Sequence, residues 1–194
     1  CRLALMPVMT RETAEALLGS SADQILEDAK DAGMVAIQRP REFAFHPLLS
    51  TFFLHKLRES SRANVDSAVS RATEVLAEIG RWGEAFSLIV EFDRPDLLDL
   101  LLRQALVPLT QEGRLTTLRG WVVFARQRGV ASPLLDLAEA DVSFRQGIHD
   151  RALALAATAA KALGPSDALT SAAHYSAGQS SYLMDETERA LVYF

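Results

Sequence analysis

Gly80-Arg81-Trp82-Gly83-Glu84-Ala85 recurs in outline as Gly113-Arg114-Leu115-Thr116-Thr117-Leu118 and again as Gly147-Ile148-His149-Asp150-Arg151-Ala152. Each copy starts on a glycine suited to a turn and reaches a small or apolar residue five positions later. The copies lie 33 and 34 residues apart, close to the roughly 34-residue period of tetratricopeptide-like helix pairs. Between them the chain reads as short helices with no convincing strand. A fourth unit follows, with Ala177-Gly178 in its first helix and Glu188-Arg189-Ala190-Leu191 through Phe194 opening its second. Residues 61–194 are therefore expected to form a tetratricopeptide-like α-helical repeat array, a right-handed stack that continues past Phe194.

The reason for such stacking is that one helical hairpin cannot bury its apolar stripe alone, so neighbours share a core. Ala85, Ile89 and Phe92 fall on one face, as do Ala152, Ala156 and Ala159. Residues 151–180 hold 11 alanines in 30 positions, which favours helix and allows close helix approach. Pro95, Pro108, Pro133 and Pro165 each read as the start of a helix after a turn.

Residues 1–60 read differently, as a small mixed unit. Thr10-Arg11-Glu12-Thr13 supplies a hydroxyl cap for a helix ending at Gly19. Ser21-Ala22-Asp23-Gln24 has the form of a capping box, and Ile25, Ala29 and Ala32 then follow at helical spacing until Gly33. Met34-Val35-Ala36-Ile37-Gln38, a turn over Arg39-Pro40-Arg41-Glu42, and Phe43-Ala44-Phe45-His46 read as a β-hairpin. Pro47 opens an amphipathic helix running to about Ser60. Helix, helix, hairpin, helix is the order of a winged-helix domain. The fold class is mainly α: a winged-helix subdomain at 1–60 followed by the repeats at 61–194.

Composition narrows the partners. The chain of 194 residues is 49% hydrophobic and 23% charged, which is globular and not disordered. Its single cysteine, Cys1, excludes an internal disulfide framework and a cysteine-based zinc site. No apolar run reaches the length of a membrane span, and the first residues lack the layout of a signal peptide. The absence of an initiator Met reads as an internal piece of a longer, cytoplasmic protein. The net charge is -5, and the helix that a DNA-reading winged helix would insert, Ser21 to Gly33, carries four acids against Lys30. Phosphate neutralisation dominates duplex affinity, so no direct nucleic-acid partner is expected.

The chain contains no phosphate-binding glycine loop, no HExxH and no GxSxG, and an enzyme is not expected. Acidic pairs such as Asp96/Asp99 and Glu27/Asp31 read as solvated helix faces, and Trp82 and Trp121 as packing residues. The histidines 46, 55, 149 and 174 are scattered. His46 stands out because it precedes Pro47 at a helix mouth, where free amides and the helix dipole favour an anion.

Phe43-Ala44-Phe45-His46-Pro47-Leu48-Leu49, running on to Phe53-Leu54, resembles the element that closes the winged-helix domain of large ATP-dependent LuxR-type transcriptional activators. These belong to the STAND class of signal-transducing NTPases and include the maltose-regulon activator. Thr10 to Gly33 resembles the same domain, and Ile79 to Ala85 resembles the start of the family's repeat sensor. The resemblance implies an upstream nucleotide-binding domain that holds ATP or ADP and contacts this segment. It also implies a downstream DNA-binding helix-turn-helix in many members, and a peptide, protein or small-molecule effector on the repeats. His46 matches the histidine that touches the ADP phosphate in related proteins, although Pro47 stands where some branches carry an acid. The implied function is regulatory coupling and sensing in transcription regulation. The alternative is a non-catalytic helical-repeat scaffold.

Overall fold

The computed structural model describes residues 1–194. Two helices, α1 (Arg11–Leu18) and α2 (Ala22–Asp31), lead into strands β1 (Val35–Arg39) and β2 (Glu42–Phe45), and α3 (Pro47–Arg58) follows. Everything after β2 is helical: α4 (Arg62–Glu78), α5 (Trp82–Glu91), α6 (Leu98–Gln111), α7 (Leu115–Gln127), α8 (Pro133–Arg145), α9 (His149–Leu163), α10 (Thr170–Leu183) and α11 (Thr187–Tyr193). The mainly helical character and the single antiparallel hairpin agree with the sequence reading. The chain divides into two compact units, Cys1–Asp93 and Arg94–Phe194, so α4 and α5 belong with the hairpin unit.

In the first unit, Thr10 caps α1 in a true capping box. Its hydroxyl accepts from the Thr13 amide at 3.3 Å, and the Thr13 hydroxyl accepts from the Thr10 amide at 2.8 Å. The box expected at Ser21 and Gln24 does not form. Ser21 closes a 3-10 turn with helical backbone angles, so its hydroxyl donates back to the Leu18 carbonyl at 3.2 Å while Gln24 bonds Asp28. A capping residue needs extended backbone to aim its oxygen at the helix amides. Ser21 lacks it.

The hairpin pairs Val35 with Phe45, Ala36 with Ala44 and Ile37 with Phe43, and a bulge beyond Ile37 shifts the register so that Arg39 meets Glu42. Met9 adds an isolated antiparallel bridge to β2, exchanging two 2.8 Å backbone bonds with Phe43. The chain start thereby becomes structural: Leu3, Ala4, Leu5, Met6 and Met9 are all buried. The Arg71 guanidinium donates to the Ala16 carbonyl at 3.0 Å, fastening α4 to α1.

The three repeat glycines occupy equivalent turns. Gly80, Gly113 and Gly147 have φ of 78°, 69° and 77°. After each, the next residue's amide bonds the carbonyl five positions back: Arg81 to Leu76 at 2.9 Å, Arg114 to Leu109 at 2.8 Å and Ile148 to Ser143 at 3.0 Å. This is the Schellman closure, which satisfies orphan carbonyls at a helix end and needs left-handed backbone at one residue. The same closure ends α10, with Glu186 bonding Ser181 at 3.0 Å and Asp185 as the left-handed residue at φ 62°, and it also ends α2 at Gly33 (Met34 to Ala29, 2.8 Å) and α7 at Gly129 (Val130 to Ala125, 3.1 Å).

Two prolines differ from expectation. Pro95 opens a 3-10 turn and Pro133 starts α8, as read, but Pro108 lies inside α6 and Pro165 lies between α9 and α10. An internal proline forfeits one helix bond and costs about 3 kcal/mol. The fully buried Leu101, Leu102, Ala105 and Leu109 of α6 offset it, because their burial requires the helix to continue through that point.

Candidate functional site

His46 sits between β2 and α3 and is exposed. Its Nδ1 accepts from the Leu48 amide at 3.4 Å, making the imidazole the N-cap of α3, and its own amide donates to the Met34 carbonyl at 3.4 Å. The imidazole is held by the helix it caps, and the His46 backbone by the Met34 carbonyl just before β1. Leu48 and Phe52, one turn apart on α3, are 75% and 52% exposed, and Ile37 on β1 is 61% exposed. Exposed large apolar side chains of this kind on one small unit suit a contact surface.

A groove of about 740 Å³ opens in the same unit. Ile25 and Ala29 of α2 and Ala32 just past its end line it together with Met34, Phe45 and Phe53. The sequence offers that α2 face as core, yet Ala22 and Leu26 are the buried residues and Ile25 remains 40% exposed. The apolar stripe of α2 is therefore wide enough to fill the interior with one edge and line the groove with the other. Phe45 and Phe53 stack edge to face at 5.2 Å, which brings β2 and α3 together beneath His46.

The other histidines do not converge. His55 faces Glu59 at 3.2 Å, His149 packs on the Phe144 ring and His174 lies against Tyr193. The acidic pairs have local partners: Asp96 pairs with Arg94 at 2.6 Å, Asp99 accepts from Ser132 at 2.5 Å, and Glu27 pairs with Arg11. No group of three or more His, Cys, Asp or Glu side chains assembles as a metal site, and no helix is long and apolar enough to cross a membrane. Trp82 donates from its indole to the Ala77 carbonyl at 3.1 Å, clamping the Gly80 turn, and Trp121 is buried.

Helix α8 carries two carboxylates with opposite tuning, which sequence reasoning missed. Burial works against the charge on Glu139, but Arg126 and Arg151 both bond it and together hold its pKa below the usual glutamate range. Asp141, two residues on, is pushed up by burial, a shift that the 2.9 Å bond from the Thr110 hydroxyl and the charge of Arg145 only moderate. The decisive difference is the bonded cations. Sequence alone gives both as exposed-looking acids within two turns of Arg145.

Compared with known protein families, curated proteins and solved structures, the chain matches none.

Proposed function

We propose that this chain is the regulatory coupling and sensing segment of a STAND-type, LuxR-like transcriptional regulator. On this reading residues 1–60 are the winged helix, and the helix pairs that follow are a tetratricopeptide-like sensor for a peptide, protein or small effector. The supporting observation is one arrangement: a helix–helix–hairpin–helix unit whose last helix is capped by an exposed His46, followed by four helix pairs closed by the same turn. The exposed Leu48 and Phe52 beside His46 suit a surface that docks on the parent's nucleotide-binding domain. There the imidazole would donate to a diphosphate oxygen of ADP and favour the resting state. The chain itself performs no chemical step.

The test uses the full-length parent and two substitutions. His46→Asn retains an N-cap acceptor and removes the imidazole, whereas His46→Ala removes both. If the switch reading holds, both variants lose ADP at least about tenfold faster, the loss corresponding to a charge-assisted bond of roughly 1.5–3 kcal/mol. Both should also raise basal activity. If His46 only caps α3, His46→Ala lowers the melting temperature, His46→Asn does not, and ADP retention is unchanged in both.

A scaffold is the second reading, favoured by the apolar end of the second unit. Tyr175, Tyr182, Leu191, Val192 and Phe194 are all more than half exposed there. Partner binding that is indifferent to nucleotide in the parent protein would select it over the switch.

A further inference from the structure

Between the Gly113 and Gly147 turns lies a pocket of about 220 Å³ lined by Leu115, Thr116 and Arg119 of α7 and by Val142, Arg145 and Gln146 from the end of α8. Its polar character is one-sided. Neighbouring arginines are paired: Arg114 with Glu112 at 3.6 Å, and Arg126 with Asp136 and Glu139 at 2.5 and 2.8 Å. Arg119 and Arg145 form no ion pair and no hydrogen bond to a carboxylate. The acid that acts on Arg145 is Asp141, one turn back, and its oxygen is already engaged by Thr110. In a protein of net charge -5, two guanidinium groups without an ion-pair partner thus line one small concavity.

Repeat packing does not require them either. The positions matching Arg119 and Arg145 around the next pair of turns, counted from Gly147 and Asp185, are Leu153 and Leu183. Leu153 is 3% exposed and belongs to the core formed with Ala140, Ala156 and Ala177. Leu183, by contrast, is 54% exposed, and Arg119 and Arg145 are themselves exposed, so neither arginine serves as a packing residue.

We propose that this pocket binds a small phosphomonoester. Arg119 of α7 and Arg145 of α8 line the pocket from different helices, Thr116 and Gln146 beside them carry neutral donors, and the first turn of α7 carries no acid. A planar carboxylate is satisfied by a single bidentate arginine, while a tetrahedral phosphate dianion presents three oxygens and can engage both forks together. The volume admits the phosphoryl group and a few further atoms, which favours a small molecule over a macromolecular phosphate. The inference is independent of the switch reading and would hold equally for a scaffold.

The test is calorimetric titration of the chain with methyl phosphate at fixed ionic strength, with acetate as the competing anion class. Arg119→Gln and Arg145→Gln are compared with Arg62→Gln, a charge control on a 95% exposed side chain in the other unit. Saturable methyl phosphate binding is expected, weakened about tenfold or more by either pocket substitution and unchanged by Arg62→Gln, with acetate at least tenfold weaker. Circular dichroism melts should be the same for all three variants, since these side chains bear no core. Equal losses in the control, acetate binding as tight as methyl phosphate, or no saturable binding would each overturn the proposal.

Discussion

Helix pairs α8/α9 and α10/α11 close with the same backbone turn, but their first helices are packed differently. α8 buries Leu134, Leu135, Leu137 and Val142 with Ala138, Ala140 and Ser143, whereas α10 buries no large apolar side chain, only Thr170, Ser176, Ser180 and Ser181 among Ala173, Ala177 and Gly178. The Ser180 hydroxyl returns to the Ser176 carbonyl at 2.8 Å, and the hydroxyls of Ser176 and Ser181 are enclosed in the α10 packing. The turn is thus a property of the helix end and its left-handed residue, not of the core it joins. Fidelity of the repeat resides in the turns, and the strength of each pair resides in what lies between its helices.

The largest test of that contrast is core truncation. Leu135→Ala removes a fully buried side chain and should cost about 2–5 kcal/mol in urea unfolding. Ser181→Ala should cost less than about 1 kcal/mol, or stabilise slightly, because burying a poorly partnered hydroxyl is itself unfavourable. A comparable loss from both would show that the α10 serines carry strong hydrogen bonds and that the two cores are equivalent.

The turns form the second test. Gly147→Ala and Gly113→Ala place a Cβ on left-handed backbone and should each cost about 1–2 kcal/mol. No neighbouring atom lies within 4 Å of the added carbon at either site, so the loss would report conformation and not collision. A neutral result in thermal or urea melts would mean that the turn reorganises without affecting its helices.

The paired carboxylates of α8 give the third. Glu139, held low by Arg126 and Arg151, adds stability that is present above its unfolded pKa and lost as pH falls through its folded value. Asp141, held high by burial, works in reverse: the native state keeps a proton that the unfolded chain releases, so stability falls as pH rises through the window above the ordinary aspartate range. At pH 7, Glu139→Gln should therefore lower the melting temperature and Asp141→Asn should raise it. Both differences should shrink in acid, and melts across that range would show whether they do.

The smallest effect is expected at the turn that ends α10. Asp185 adopts φ 62°, which aspartate tolerates but glycine favours, and Asp185→Gly should stabilise by up to about 1 kcal/mol. A loss instead would assign the Asp185 side chain a role at the turn beyond its backbone.

Much of this was legible in residue order. The turns at Gly80, Gly113 and Gly147, the hairpin around Pro40-Arg41 and the Thr10 cap follow from local chemistry acting over a few residues, and all appear where the sequence puts them. The errors share a cause as well. Ser21 has the residue type of a cap but not the extended backbone that a cap needs, and Pro108 has the look of a helix start although α6 runs through it, because burial of the surrounding leucines outweighs the local cost. The buried role of Leu3 to Met9 had a signal in its apolar run, but its partner, Phe43, is distant in sequence. His46 was identifiable as a residue at a helix mouth, and its exposed apolar surroundings were not.

What the sequence determined by itself is the period, the helix ends and the hairpin, because a glycine, a proline or a capping hydroxyl acts on backbone within one turn of where it stands. Only the tertiary structure decided which stripe of α2 is core and which lines a groove, which of two acids on α8 keeps its charge, and which arginines have carboxylate partners. Those outcomes depend on atoms contributed by other elements, whose positions no local pattern specifies. Burial and ion pairing are properties of the assembled neighbourhood, and they distinguish Glu139 from Asp141, and Arg119 from Arg126, where residue type alone does not.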